Sequence, residues 1–120
     1  MNVISETDAL ASALLRVRGH WVIRDADLAR FFGMPRRKLL ALVERHHERF
    51  PGDFCFVADA AEWAGELETA RDTGPESAHV FTEYGVLTAA DLLADEWAIT
   101  IAVELVRTFV RKRRAHEVAT

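Results

Sequence analysis

The chain has 120 residues, 50% hydrophobic and 28% charged, with 15 Lys and Arg against 19 Asp and Glu for a formal charge of −4. That length suits one domain able to bury a single core without staples, and no apolar run approaches a membrane span. The lone cysteine, Cys55, excludes an internal disulfide and points to a reducing compartment, while the negative charge excludes indiscriminate adhesion to nucleic acid.

In chain order, Met1 to Leu10 carries Glu6 and Asp8 where a signal peptide needs positive charge, so no targeting segment and a cytoplasmic location are expected. Residues 1–14 read as a lead segment, 15–114 as the domain and 115–120 as a tail. Leu15 to Arg24 has two short apolar, β-branched stretches flanking Gly19-His20, which predicts a hairpin with its turn there. Asp25 is placed to N-cap a short helix through Leu28, Ala29, Phe31 and Phe32, ended by Gly33. Pro35 suits the first turn of a second helix, predicted to run to about Phe50, where Pro51-Gly52 stops it. Asp53 to Val57 reads as a buried strand, and Ala60 to Ala70 as a helix with Trp63 and Leu67 on one side. Asp72 to Pro75 reads as a loop and His79 to Phe81 as a strand. Thr82 is placed to cap a helix with Glu83 in its first turn. The last helix is predicted from Glu96 to about Arg113, apolar over more than half its circumference, so it is central to the fold or shared with a partner.

Charge falls in three blocks. Arg36, Arg37, Lys38, Arg45 and Arg49 face only Glu44 and Glu48. From Asp59 to Glu76 the run is acidic, and Arg107, Arg111, Lys112, Arg113 and Arg114 close the chain as a second basic cluster. Blocks of alternating sign point to distinct faces.

The strongest local pattern is Asp27 to Pro35. A helix-turn-helix needs a small residue where its helices cross (Ala29), a turn residue tolerant of positive φ four places on (Gly33), and apolar residues returning from the second helix (Leu39 and Val43). At about 100° per residue, Leu39, Leu40, Val43, His46, His47 and Phe50 share one face of that second helix. Arg37, Ala41 and Arg45 lie opposite, flanked by Lys38 and Arg49. Arginines bracketing a small residue fit a surface that approaches a major groove closely, and Arg36 and Arg37 sit where free backbone amides favour an anion. The alternative is a solvated amphipathic helix, which Glu44 and Glu48 would also fit.

From about Val17 to Arg114 the chain resembles the ORF-six-N domain, the KilA-N-related DNA-binding domain of phage antirepressors. The matching stretches are Arg18-Gly19 with Val22-Ile23 and Asp25, then Asp27-Leu28-Ala29, Glu48-Arg49-Phe50-Pro51, Asp53-Phe54 and Phe56. Phe81-Thr82-Glu83-Tyr84-Gly85-Val86 follows the family's Phe-Thr-Glu-x-Gly-Val, and Arg107-Thr108-Phe109-Val110 its Arg-x-Phe-Val. The resemblance implies an α+β, winged-helix-like DNA-binding domain of phage or prophage origin, with short strands and a long C-terminal helix. Two departures stand out. His46 replaces the asparagine usual after Arg45, and an acidic stretch from Glu66 to Glu76 replaces a longer basic one.

The remaining residues read as structural. His46 and His47 are adjacent and make a poor metal pair, and Cys55 between Phe54 and Phe56 reads as a small apolar residue. Asp25 and Asp27 look like a carboxylate pair, but capping accounts for the first and solvent exposure for the second. No catalytic constellation, cofactor or metal is expected. The expectation is double-stranded DNA binding by the 36–49 helix, through Arg37 and Arg45 around Ala41, supported by Arg36, Lys38 and Arg49. A homodimer is expected, since one short helix reads few bases. The alternative is a protein-interaction module that binds a repressor or another phage or host protein.

Overall fold

The computed structural model describes residues 9–64 and 76–119. Strands β1 (Leu14–Val17), β2 (His20–Arg24), β3 (Cys55–Asp59) and β4 (Ser77–Phe81) form one antiparallel sheet in the order β1-β2-β4-β3. Six α-helices accompany it among the described residues: 9–13 (α1), α2 (Asp25–Phe32), α3 (Arg36–Arg45), α4 (Ala60–Trp63), α5 (Glu83–Leu93) and α6 (Glu96–Ala119). The fold is α+β, with short strands and a long last helix.

Successive side chains of a strand point to opposite faces, and adjacent apolar residues here divide between two cores. Leu14, Ile23, Cys55 and Phe81 join the core shared with α2, α3, α5 and α6. Their neighbours Leu15, Val22, Phe56 and Val80 pack on the other face with Trp63 of α4, which is completely buried.

The hairpin forms as expected, but its turn lies one residue earlier. Val17 pairs with His20, leaving Arg18 (φ 53°) and Gly19 (φ 82°) as the two turn residues. Both are left-handed, the combination that matches the twist of the flanking strands. The Arg18 guanidinium is held by Glu62 at 2.6 Å and by the Val57 carbonyl at 3.2 Å, and it lies over the Phe56 ring. The hydrogen bonds from Arg18, with one from the Asp59 N–H, hold the Glu62 carboxyl below the ordinary carboxylate range. Thus Asp59 and Glu62, the start of the acidic run, serve local structure. The rest of the predicted helix to Ala70, with Glu66, Leu67 and Glu68, and the predicted loop from Asp72 to Pro75 lie outside the described residues.

The predicted strand from Asp53 starts later, at Cys55, because Phe54 is taken into a turn closed by its N–H on the Pro51 carbonyl, 2.8 Å. Cys55 faces the larger core, and burial, with the Asp25 charge adding to it, pushes its thiol up to about 12. Native protein is therefore expected to resist iodoacetamide at mildly alkaline pH and to alkylate only in denaturant. Fast alkylation of the native chain, read by mass spectrometry, would contradict that burial.

β4 passes into α5 at Thr82, which holds the N-cap position as expected. Its hydroxyl does another job, donating to the Asp53 carbonyl at 2.7 Å instead of capping. α6 runs past the predicted end near Arg113 to Ala119.

Candidate nucleic-acid interface

β2 runs into α2 with no loop between them. Arg24 therefore takes the N-cap position, and Asp25, expected as the cap, falls in the first turn and is completely buried. Its carboxylate accepts hydrogen bonds from Arg36 Nε (2.9 Å), Arg36 Nη2 (3.2 Å) and the His79 backbone N–H (3.0 Å). Asp27, expected in solvent, is also buried, between Arg24 (3.2 Å) and Arg30 (3.3 Å). The two carboxylates are engaged by arginines, each on its own partners.

α2 ends as the sequence predicts. Gly33 is left-handed (φ 73°), its N–H bonds the Arg30 carbonyl at 3.1 Å, and the Met34 N–H bonds that of Ala29 at 3.0 Å. This paired closure satisfies the last carbonyls of the helix. Pro35 stands at the N-cap position just before α3, one place ahead of the first turn expected for it. Ala29 and Leu39, both buried, belong to the core where α2 and α3 meet. The Trp97 Nε1 donates to the Phe31 carbonyl at 2.9 Å and fastens α6 to the same turn.

α3 is shorter than predicted. It ends at Arg45, His46 leaves helical geometry (φ −119°, ψ 39°), and His47–Arg49 form one 3-10 turn. The unwinding delivers Phe50 to the core, where it meets Phe81 edge-on at 6.2 Å between centroids. Arg49 thereby leaves the α3 face and pairs with Asp91 of α5 at 3.1 Å.

Of the six residues expected to meet DNA, four remain on one open face. Arg37, Lys38, Ala41 and Arg45 are exposed, whereas Leu39 is buried and Leu40, Leu42 and Val43 are half-buried. Among the described residues, Arg37, Lys38 and Arg45 have no ion-pair or hydrogen-bond partner within the chain. Ala41 leaves a shallow depression of about 300 Å³ between Lys38 and Arg45, bounded by Met34, Leu42 and Leu93. Arg36 and Arg49 instead fasten the two ends of this segment to Asp25 and Asp91. The hydrogen bonds to Asp25 hold the Arg36 guanidinium above its ordinary pKa, so its charge is permanent. No local sequence signal linked Asp25 to Arg36 across eleven positions, and none linked Trp97 to Phe31.

The second basic cluster is largely occupied. Arg107 pairs with Glu104 at 2.9 Å, Arg111 donates to the Thr108 hydroxyl, Lys112 lies over Trp21 and Arg113 pairs with Glu83. Arg114 has no such partner among the described residues.

Among the described residues no helix is long and apolar enough to cross a membrane, and no group of three or more His, Cys, Asp or Glu is placed to hold a metal ion. No curated protein and no solved structure matches the chain. A family model, the ORF6N domain, matches residues 12–92, from the end of α1 through α5; the Arg107-Thr108-Phe109-Val110 motif lies beyond it. With two-thirds of its length matched, the chain belongs to the ORF6N domain family.

Proposed function

We propose that the chain is a phage- or prophage-derived regulatory domain, antirepressor-like and without catalytic activity, that lays the outer face of α3 in the major groove of double-stranded DNA. The observation that carries this reading is the set of three unpartnered cations, Arg37, Lys38 and Arg45, around Ala41 on one helix face. A helix fixed at both ends presents such a face in one orientation, which is what base readout requires. Arginine offers two donors to guanine, and lysine a point charge to phosphate.

The test is a mobility-shift titration on genomic fragments across a salt series. With Lys38 on phosphate and the two arginines on base edges, the log–log salt slope is expected to be about −0.9 per protomer from this face. A second reading, a module that binds a repressor or another phage or host protein, is favoured by the net charge of −4. It predicts no retained DNA at low salt and a protein complex whose affinity barely changes with salt.

A further inference from the structure

α5 and α6 form an antiparallel helical pair whose inner side is core: Val86, Ala89 and Ala90 meet Ala98, Ala102 and Leu105. Its outer edge stays open. Leu87 is 44% exposed, Ile99 49% and Val103 43%, and Val106 and Val110 continue the stripe half-buried. A groove of about 500 Å³ opens between Leu87 and Ala94 on one side and Ile99 and Val103 on the other.

Along α6, Ile99, Val103, Val106 and Val110 recur at intervals of four, three and four, the spacing of a seam between two helices. Glu96 stands three residues before this stripe and Arg113 three after it. The stripe is therefore symmetric about the point midway between Glu104 and Leu105, with acid at one end, base at the other and β-branched residues between. An isologous contact needs that property, since a two-fold axis sets each residue against its mirror position in the copy.

We infer that this chain forms a dimer through an antiparallel α6–α6 seam, with a second copy of itself as the occupant of the open face. In that register Val103 meets the partner's Val106, Ile99 meets the partner's Val110, and Glu96 comes to the partner's Arg114 and to the partner's Arg113, which also holds Glu83 of its own chain. Glu96 and Arg114 have no ion-pair partner within the described chain, so both charges are available. A parallel seam would stack Glu96 on its own copy and the arginines on theirs, which opposes it. Leu87 of α5 lies beside the seam across the groove, so each copy brings two helices to the contact. The inference stands independently of the DNA reading, because it is measured without DNA.

Sedimentation equilibrium of the purified chain is expected to give a dimer. Val103→Glu, at an exposed position, is expected to raise the dimer dissociation constant by about a hundredfold or more with the far-ultraviolet spectrum unchanged. Should that variant fail to fold, Glu96→Arg on the exposed rim carries the same test and weakens the dimer by like charge. Register is read by cysteine pairs: Ile99→Cys with Val110→Cys is expected to oxidise to a covalent dimer, and Ile99→Cys alone is not. The two positions lie about 16 Å apart along one helix, too far to join within a chain. A monomeric wild type, a dimer indifferent to both charge variants, or efficient cross-linking of Ile99→Cys alone would overturn the inference.

Discussion

Replacing Arg37 and Arg45 together by alanine is expected to abolish DNA retention in a low-salt mobility shift while leaving thermal unfolding in place. Both side chains are exposed and without partners among the described residues, so their removal should change stability by no more than about 0.5 kcal/mol. Their contribution to binding is larger. A two-donor arginine contact to guanine carries about 1–3 kcal/mol, so losing two removes on the order of 2–6 kcal/mol, tens to tens of thousands in affinity. Lys38→Ala serves as the graded comparison: affinity falls evenly across sequences, and the salt slope shrinks by about 0.9. Arg36→Ala is expected to act on the fold instead, since it removes two of the hydrogen bonds reaching the buried Asp25 carboxylate. Full retention of DNA by the Arg37→Ala, Arg45→Ala protein would remove α3 as the contact surface.

The contrast between these arginines also marks where sequence reasoning stopped. The turn of the helix-turn-helix was legible because its determinants are local: Gly33 supplies the left-handed residue and Pro35 prevents α2 from continuing. The face bearing Arg37, Ala41 and Arg45 was legible for the same reason, through helical periodicity. Asp25 was not. Capping preference placed it at a helix start, but the direct passage of β2 into α2 buried it, and its partners come from α3 and β4. The end of α3 was likewise set from afar. Periodicity runs on to Phe50, yet its burial against Phe81 unwinds the last turn and hands Arg49 to Asp91. Arg18 in a left-handed turn is a third case, because Glu62, forty-four residues away, holds it there. Local signals thus outlined the candidate face, and long-range ion pairs decided which arginines stay open on it.

Gly85→Ala is expected to lower stability by about 2–4 kcal/mol, a fall in Tm of roughly 10 °C for a domain of this size. Inside an exposed helix this change would stabilise by about 1 kcal/mol, so the sign depends on what the new methyl group meets. At Gly85 a Cβ would lie 2.0 Å from the Phe54 carbonyl oxygen and 3.0 Å from its carbon. Those are backbone atoms, and no rotamer change relieves the contact. The same carbonyl accepts the Thr82 N–H at 3.0 Å, and the neighbouring Asp53 carbonyl accepts the Thr82 hydroxyl. Moving that strand entry therefore releases the start of α5 and disturbs the stacking of Phe54 on Tyr84, 5.4 Å between centroids. Here the Phe-Thr-Glu-Tyr-Gly-Val block acquires a physical meaning: Thr82 bonds the turn before β3, and Gly85 lets α5 approach it. Gly52→Ala is the control, since nothing lies within 4 Å of a Cβ there, and it should leave Tm nearly unchanged. Equal Tm values for the two variants would show that α5 is not seated on Phe54, and would detach the helix pair from the sheet entry on which its position rests.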